Sequence, residues 1–258
     1  MIAYIDSHDG NSLKSVEKLC SAGGVCACRI MCLINSYSVY DGLLQLWLQY
    51  DGSMAPTSVI LKYAADMTVL ASNGTDISEL KEFIMAVGAA SISSEIEIFE
   101  GSREDVIMSL GEKKQIDKND SENTFVFDNE VFLSEAYMLL KSCETEKFIC
   151  PSEADFMLDT SHKIRHDQAH CCELMIKEKP AAFVMTAALT DECAVIGAVC
   201  TDPRYRNKGF GSTCIRRLIE LLGSRDIYIV RAVLEHEAFY RSLGFENTGK
   251  YYTYIENT

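Results

Sequence analysis

The chain has 258 residues, of which 48% are hydrophobic, and a formal net charge of −14 at pH 7. This length exceeds one small domain and predicts two domains or one enlarged domain, with enough apolar residues for a sizeable core. The acidic balance argues against nucleic acid as a partner, since phosphate backbones require a basic surface. It suits a cationic amine, although solubility alone would also explain it.

Targeting and redox features are consistent with a cytoplasmic protein. No apolar run is long enough to span a bilayer, and residues 1–10 lack the basic and apolar regions of a secretion signal. The eleven cysteines are odd in number, and several, such as Cys193, Cys200 and Cys214, lie in apolar periodic runs. We therefore expect reduced core cysteines, no disulfide framework and no membrane partner.

The amino-terminal half predicts strands and one helix. The predicted strands are 29–38 (running into a loop), 43–50 (or a helix turn), 57–63, 67–71 and 89–98. Apolar residues of 77–87 recur at helical spacing, Thr75 or Asp76 can cap this helix, and Gly88 can end it. The polar segment 101–123 predicts a linker. The predicted domains are therefore residues 1–115 and 116–258.

The carboxyl-terminal half predicts a longer series of elements. In chain order they are strand 124–127, helix 131–140, helix 153–166, strands 171–176, 181–189 and 193–201, helix 211–222, strand 226–233, helix 235–242 and strand 251–255. This order predicts a mixed α/β sheet.

The segment between the strand ending at Thr201 and the helix starting near Gly211 is the most informative part of the sequence. Pro203 ends the strand because it has no N–H for a sheet. Gly209 and Gly211 then open an amphipathic helix, whose first N–H groups have no partner and whose dipole favours an anion. Cationic side chains follow the strand at positions 204, 206 and 208. The combination predicts a cradle for a phosphate, and best of all a pyrophosphate.

Other phosphate-binding motifs do not match this loop. It lacks the Gly-Lys-Ser/Thr ending of a nucleoside triphosphate loop and the first glycine of the dinucleotide fingerprint. The segment instead resembles the acetyl-coenzyme A (acetyl-CoA) site of the GCN5-related N-acetyltransferase (GNAT) superfamily. Four features together carry this resemblance: the β-strand, the Thr-x-Pro exit, the Arg-x-x-Gly-x-Gly turn and the helix. The block Ala238–Phe245, AFYRSLGF, resembles the last helix of that family and the turn that follows it.

The resemblance implies a GNAT-like acyl-CoA fold in the carboxyl-terminal half and direct acetyl transfer to an amine of a small molecule or peptide, without a metal. The implied cofactor-binding residues are Val199, Cys200, Thr201, Arg206, Asn207, Lys208, Gly209, Phe210, Gly211 and Ser212. The resemblance places Tyr240 near the cofactor sulfur, where its phenol would protonate the leaving thiolate, although packing alone would also explain a tyrosine there. An asparagine often present before this tyrosine is missing from 231–235, which puts one cofactor contact in doubt.

The amino-terminal half resembles a second, degenerate GNAT-like domain in its order of elements alone. Its corresponding turn, Asn73–Asp76, has no lysine or arginine, and Asp76 and Glu79 lie at the helix start. Because carboxylates there oppose a pyrophosphate, we expect this half to bind no CoA. It would instead shape the acceptor side or the interface of a homodimer.

Several polar residues are left without a single interpretation. The general base that takes the amine proton is not determined by sequence; the candidates are Glu173, Asp191, Glu192, Glu235 and His236. His162, His166 and His170 recur every four residues as a metal site would require, but 167–169 is expected to end the helix and separate them. Cys26, Cys28 and Cys32 lack Cys-x-x-Cys spacing and predict a buried run, with redox sensing as the alternative.

The sequence is compatible with three functions. The first is an acetyl-CoA-dependent N-acyltransferase. The second is a non-catalytic acyl-CoA sensor or interaction module, which would bind the cofactor tightly without turnover. The third is an unrelated nucleotide-binding regulator, for which ATP or NAD would compete with CoA.

Overall fold

The structure, a computed structural model, describes residues 1–6, 9–37, 43–111, 124–145, 148–233 and 235–256. It has the mixed α/β fold that the sequence predicts, with parallel and antiparallel strand pairs. The chain divides into two compact units, Met1–Ile107 with Thr248–Thr258, and Met108–Asn247. The predicted boundary between residues 115 and 116 lies outside the described residues, and the domain limits stay a prediction.

The first unit contains a sheet with helices on both faces. In chain order its elements are β1 (Ile2–Tyr4), α1 (Gly10–Cys20), α2 (Val25–Ser36), β2 (Leu44–Tyr50), β3 (Pro56–Tyr63), β4 (Asp66–Ala71), α3 (Ile77–Val87) and β5 (Ser91–Ser94). The strands lie in the order β1-β2-β3-β4-β5, in which β4 and β5 are parallel and the other pairs antiparallel.

Strand β2 is apolar along its length because both faces of the sheet are covered. Leu46 and Leu48 pack in the core formed with α1 and α2. Trp47 lies between them in sequence and therefore points to the opposite face, where its ring lies 5.3 Å from that of Phe83 on α3.

Two expectations for this half were wrong. Residues 25–36 form α2, whereas a strand was predicted from residue 29; the helix is buried nearly all round, so its sequence lacks the polar face that identifies a helix. Its cysteines, Cys26, Cys28 and Cys32, are buried as predicted. Part of the predicted linker, Arg103–Leu110, forms strand β6, and the remainder from residue 112 to 123 lies outside the described residues.

The second unit contains almost the predicted series of elements. They are β7 (Thr124–Phe127), α4 (Leu133–Ser142), α5 (Glu153–Arg165), β8 (Cys171–Ile176), β9 (Lys179–Leu189), β10 (Cys193–Thr201), α6 (Phe210–Leu222), β11 (Asp226–Ala232), α7 (Glu237–Ser242) and β12 (Phe245–Ile255). The strand order is β11-β10-β9-β8-β7, with β10 and β11 parallel and the other pairs antiparallel. The last strand is longer than predicted. It begins in this unit, but its residues from Thr248 onward belong to the first unit, where 252–255 pair with Ser91–Ser94.

Helices cover both faces of this sheet as well. Helices α4 and α5 share a core with Cys171, Phe183 and Cys200 on one face. Helix α6 packs on β8 and β9, where the Cys214 thiol donates to the Cys172 carbonyl at 3.1 Å. Among the described helices, none has the length and apolar character needed to cross a membrane.

Candidate functional site

Strands β10 and β11 separate halfway along their length. Their parallel pairing runs from Cys193 to Ile196 of β10 and ends there, while β10 continues beside β9 to Thr201. The register with β9 is irregular on either side of Ile196. At Gly197 a Cβ atom would lie 2.7 Å from the Ala187 Cβ, so only glycine allows the strands to approach this closely. Within the described pairing, the β11-facing edge of 197–201 is therefore open.

The start of α6 lies just beyond this open edge. Gly209 is the N-cap residue, has left-handed backbone (φ 83°) and supplies no side-chain cap. The first helical bond runs from the Thr213 N–H to the Gly209 carbonyl at 2.9 Å, and no described hydrogen bond uses the N–H groups of Phe210, Gly211 or Ser212. Those N–H groups and the helix dipole together make an anion-binding site.

The two glycines of the loop have different roles. A Cβ atom at Gly209 would meet nothing within 4 Å, so the space before this residue is open and glycine is required by its positive φ. A Cβ atom at Gly211 would lie 2.8 Å from the Thr201 Oγ1. Gly211 therefore allows the first turn of α6 to lie directly against the end of β10.

The charges of the loop are not all available to a ligand. Arg204 binds Asp202 with its Nε and Nη2, at 2.6 Å for the shortest contact, so its charge is offset. Arg206 and Lys208 are exposed. The Arg206 Nε donates to the Thr201 carbonyl at 3.2 Å, and thus occupies a backbone group that the sequence assigned to the cofactor arm. Asn207 has left-handed backbone (φ 61°) within the same turn.

Tyr240 lies on α7, in an aromatic cluster with Phe239 and Phe245. Burial raises the pKa of Tyr240 to about 12, and nearby Arg231 opposes this rise. The phenol is therefore protonated at neutral pH, as a proton donor must be. Phe239 connects this cluster to α6, since its Cζ would lie 4.0 Å from a Cβ at Gly211.

Arg231 anchors α7 in the segment where the family's asparagine is missing. It is buried, and its Nη2 binds Glu237 at 2.9 Å and the Asn247 Oδ1 at 3.3 Å. This position was not singled out from sequence, because the partners come from outside the local segment.

Among the five candidate bases, Glu173 has the most unusual surroundings. It is buried on β8, and its Oε1 has no hydrogen-bond partner. Burial, followed by the charge of Glu135, raises its pKa to about 7. In contrast, Asp191, Glu192 and His236 are exposed and Glu235 is half-buried.

The three histidines do not share one helix face. His162 and His166 lie at the end of α5 with ring centroids 4.4 Å apart. His170 lies beyond the helix, and its Nδ1 binds the Asp128 Oδ2 at 2.9 Å. No group of three or more residues that could hold a metal occurs in the described part of the chain.

Helix α3 is the helix of the first unit that corresponds to α6 in order of elements, and a side chain caps its N-terminus. Of the two caps that the sequence allows, Thr75 and Asp76, it is Asp76 that caps α3, and its Oδ1 accepts from the N–H groups of Ser78 and Glu79 at 3.0 and 3.1 Å. The Glu79 carboxylate lies beside it and binds the amino group of Met1 at 2.8 Å. An anion would meet carboxylates there, whereas α6 offers open N–H groups.

A sheet that opens after a bulged strand, followed by an uncapped glycine turn and an amphipathic helix, defines an acyltransferase fold in the second unit. Residues 133–245 match the model of the acetyltransferase (GNAT) family. This part of the chain belongs to the GNAT superfamily, as the loop motif predicted. None of the curated proteins matches the chain significantly in sequence.

Solved structures share the fold along the whole chain. A tandem GNAT protein from the clavulanic acid biosynthesis pathway is 10% identical, with a TM-score of 0.61, and the match covers 100% of this chain and 99% of that one. A Drosophila protein is 9% identical, with a TM-score of 0.66 and coverage of 99% and 98%. A GCN5-related N-acetyltransferase from Sphaerobacter thermophilus is 10% identical, with a TM-score of 0.59 and coverage of 98% and 94%. At such identities the likeness shows the fold alone, here with a tandem layout.

Proposed function

We propose that the second unit transfers an acetyl group from acetyl-CoA directly to a primary amine of a small molecule or peptide, without a metal. The observation that carries this proposal is the uncapped start of α6 beside the open edge of β10. Acetyl-CoA, as co-substrate, would supply the acyl group as an activated thioester.

The residues present fit the diphosphate of CoA. The open space in front of Gly209 leaves room for it, and the N–H groups of Phe210, Gly211 and Ser212 can donate to its oxygens. Lys208 and Arg206 supply charge at the same loop. An extended amide-containing arm can lie along the edge of 197–201 in the manner of an added strand.

The reacting groups would lie where β10 and β11 part. The backbone N–H of Val199 or a neighbour would polarise the thioester carbonyl as negative charge develops on its oxygen. Tyr240, protonated at neutral pH, would donate its proton to the leaving thiolate. An alkylammonium must first lose a proton, and the carboxylate of Glu173, with a pKa of about 7, is the best matched acceptor for it.

One observation favours the alternative of a non-catalytic acyl-CoA sensor. Glu173 pairs with Phe183 of β9, and Phe183 in turn pairs with Cys200 of β10. Two strand spacings, about 10 Å, therefore separate Glu173 from β10, so its proton transfer would need a relay. A protein that kept the cradle without such a relay would bind the cofactor and not turn it over.

Calorimetric titration with CoA tests the cradle. Lys208→Glu reverses an exposed charge at the loop and should weaken CoA binding about 10- to 100-fold, the effect of losing a charge-assisted hydrogen bond. Lys14→Glu makes the same change at an exposed position of α1 and serves as the matched control. Equal affinities for both variants and the unaltered protein would contradict the cradle.

An acetylation assay with a panel of primary amines then separates the functions. Acetyl transfer to any amine of the panel supports the acyltransferase. Tight CoA binding with no acetylated product supports the sensor, and displacement of CoA by ATP or NAD supports a nucleotide-binding regulator.

A further inference from the structure

Cys143 differs from the other cysteines of the chain. All eleven lie in the described part of the chain and none of them forms a disulfide there; ten are buried and Cys143, at the end of α4, is half-buried. Its sulfur lies 3.6 Å from the Arg206 Nη2 and 3.5 Å from the Thr201 carbonyl oxygen. Cys143 therefore adjoins both the phosphate-binding loop and the open strand of the proposed site, although no motif in the sequence marks it.

Cys143 and Cys200 have opposite tendencies to ionise. Cys200 directly precedes Thr201, whose carbonyl contacts the Cys143 sulfur. Interaction with the Cys200 side chain, and to a smaller degree with Arg206, lowers the pKa of Cys143. Partial burial opposes the shift, and so does the Thr201 carbonyl, which favours a thiol as donor. The same interaction with the Cys143 side chain, followed by burial, raises the pKa of Cys200.

Other groups also lie near Cys143, among them the Ser142 Oγ at 3.8 Å from its sulfur. The half-buried Cys143 and the buried Cys150 and Cys200 pack in one cluster beneath α4 and α5. Glu144 follows Cys143 in sequence, but its carboxylate is engaged with the Lys141 ammonium at 2.6 Å and the Cys150 N–H at 3.0 Å. Arg206 is thus the cation in contact with the Cys143 sulfur.

We propose that Cys143 is an oxidation site for hydroperoxides, with Cys200 as the thiol that completes a disulfide. The Cys143 thiolate attacks a peroxide oxygen, the O–O bond breaks, and an S–O bond forms. The sulfur becomes a sulfenic acid, losing two electrons, and the other peroxide oxygen takes up a proton and leaves as water, or as an alcohol when the hydroperoxide is organic. The Cys200 sulfur then attacks the sulfenic acid, an S–S bond forms, and the hydroxyl leaves with the Cys200 proton as a second water.

Arg206 connects this chemistry to the proposed cofactor site. When a diphosphate binds Arg206, the guanidinium stabilises the Cys143 thiolate less. The Cys143 sulfur then ionises less and reacts more slowly. This coupling depends on the proposed function, whereas the oxidation itself does not.

The experiment follows cysteine reactivity in the folded full-length chain by mass spectrometry. Limiting iodoacetamide should label Cys143 at least 10-fold faster than any other cysteine, with a rate midpoint below the pH of about 8.5 expected for a free thiol. Hydrogen peroxide should yield a product lighter by two hydrogens, in which the peptides of Cys143 and Cys200 are joined. Labelling of Cys143 no faster than that of the other cysteines, or a disulfide elsewhere, such as to Cys150, would overturn the proposal.

Variants separate the steps. Arg206→Gln should raise the pH midpoint of Cys143 labelling, whereas Lys208→Gln, in the same loop without contact to the sulfur, should leave it nearly unchanged; equal midpoints would refute the role of Arg206. Cys200→Ala should stop disulfide formation and let a sulfenic-acid probe accumulate on Cys143.

CoA should slow the labelling of Cys143 in the unaltered protein. Absence of that slowing alone would remove the coupling with the proposed function and leave the oxidation site standing.

Discussion

Substitution of Gly211 by alanine should weaken CoA binding through a steric effect on α6. The new Cβ would lie 2.8 Å from the Thr201 Oγ1, and an ordinary contact begins at 3.4 Å, so the two must separate by about 0.6 Å. Because Thr201 ends a strand paired with β9, the first turn of α6 is the part that moves. Its N–H groups would then leave the diphosphate.

The expected loss is that of one or two charge-assisted hydrogen bonds, about 1.5–3 kcal/mol or a 10- to 100-fold rise in the Kd of CoA. The crowding should also lower the free energy of unfolding by about 1–3 kcal/mol. Calorimetry measures the first quantity and urea unfolding the second. Gly10→Ala is the control, since a Cβ there meets nothing within 4 Å.

A double-mutant cycle tests the mechanism. Thr201→Ala removes the Oγ1 while keeping the backbone, so Gly211→Ala should cost little CoA affinity in that background. The reasoning is refuted if the loss of affinity is the same in both backgrounds, or if Gly211→Ala binds CoA like the unaltered protein.

The remaining predictions concern single residues. Tyr240→Phe should lower kcat for acetyl transfer about 10- to 100-fold with little change in CoA affinity, and unaltered turnover would leave Tyr240 a packing role only. The pKa of Glu173 is raised to about 7, so this carboxyl binds a proton more tightly in the folded state than in the unfolded state. The free energy of unfolding should therefore fall by up to about 3 kcal/mol as the pH rises from the unfolded pKa to pH 8. Urea unfolding of Glu173→Gln should lack this fall. Asp76→Ala should lower the free energy of unfolding by about 1 kcal/mol through loss of the α3 cap and leave CoA affinity unchanged in calorimetry.

Elements with clear signals at their ends were predictable from sequence. The bounds of β7, β8, β10 and α3 agree with the structure, because turn residues, a cap or a proline mark their ends. Helix α2 was mistaken for a strand because it is buried nearly all round and lacks a polar face. Strand β6 was taken for a linker because its residues are polar at the start and its strand partners are distant in sequence.

The sequence predicted the phosphate-binding loop, but it did not predict which of its charged side chains are engaged by other groups of the protein. Sequence places Arg204, Arg206 and Lys208 together, but only the folded turn shows Asp202 binding Arg204 and the Thr201 carbonyl binding Arg206. Likewise the base stayed undetermined in sequence, since the burial of Glu173 depends on the helices that cover β8.

The amino-acid sequence by itself determined the local properties of this protein: the order of the strands and helices in its carboxyl-terminal half, the glycine turn that starts α6, and the carboxylate that blocks the start of α3. These follow from short-range rules of backbone conformation, capping and periodicity. Tertiary structure alone decided which groups from distant segments meet, such as Cys143 with Arg206 and Gly211 with Thr201. Those contacts depend on how helices pack on the sheet, and this packing balances many small contributions along the chain that no single motif records.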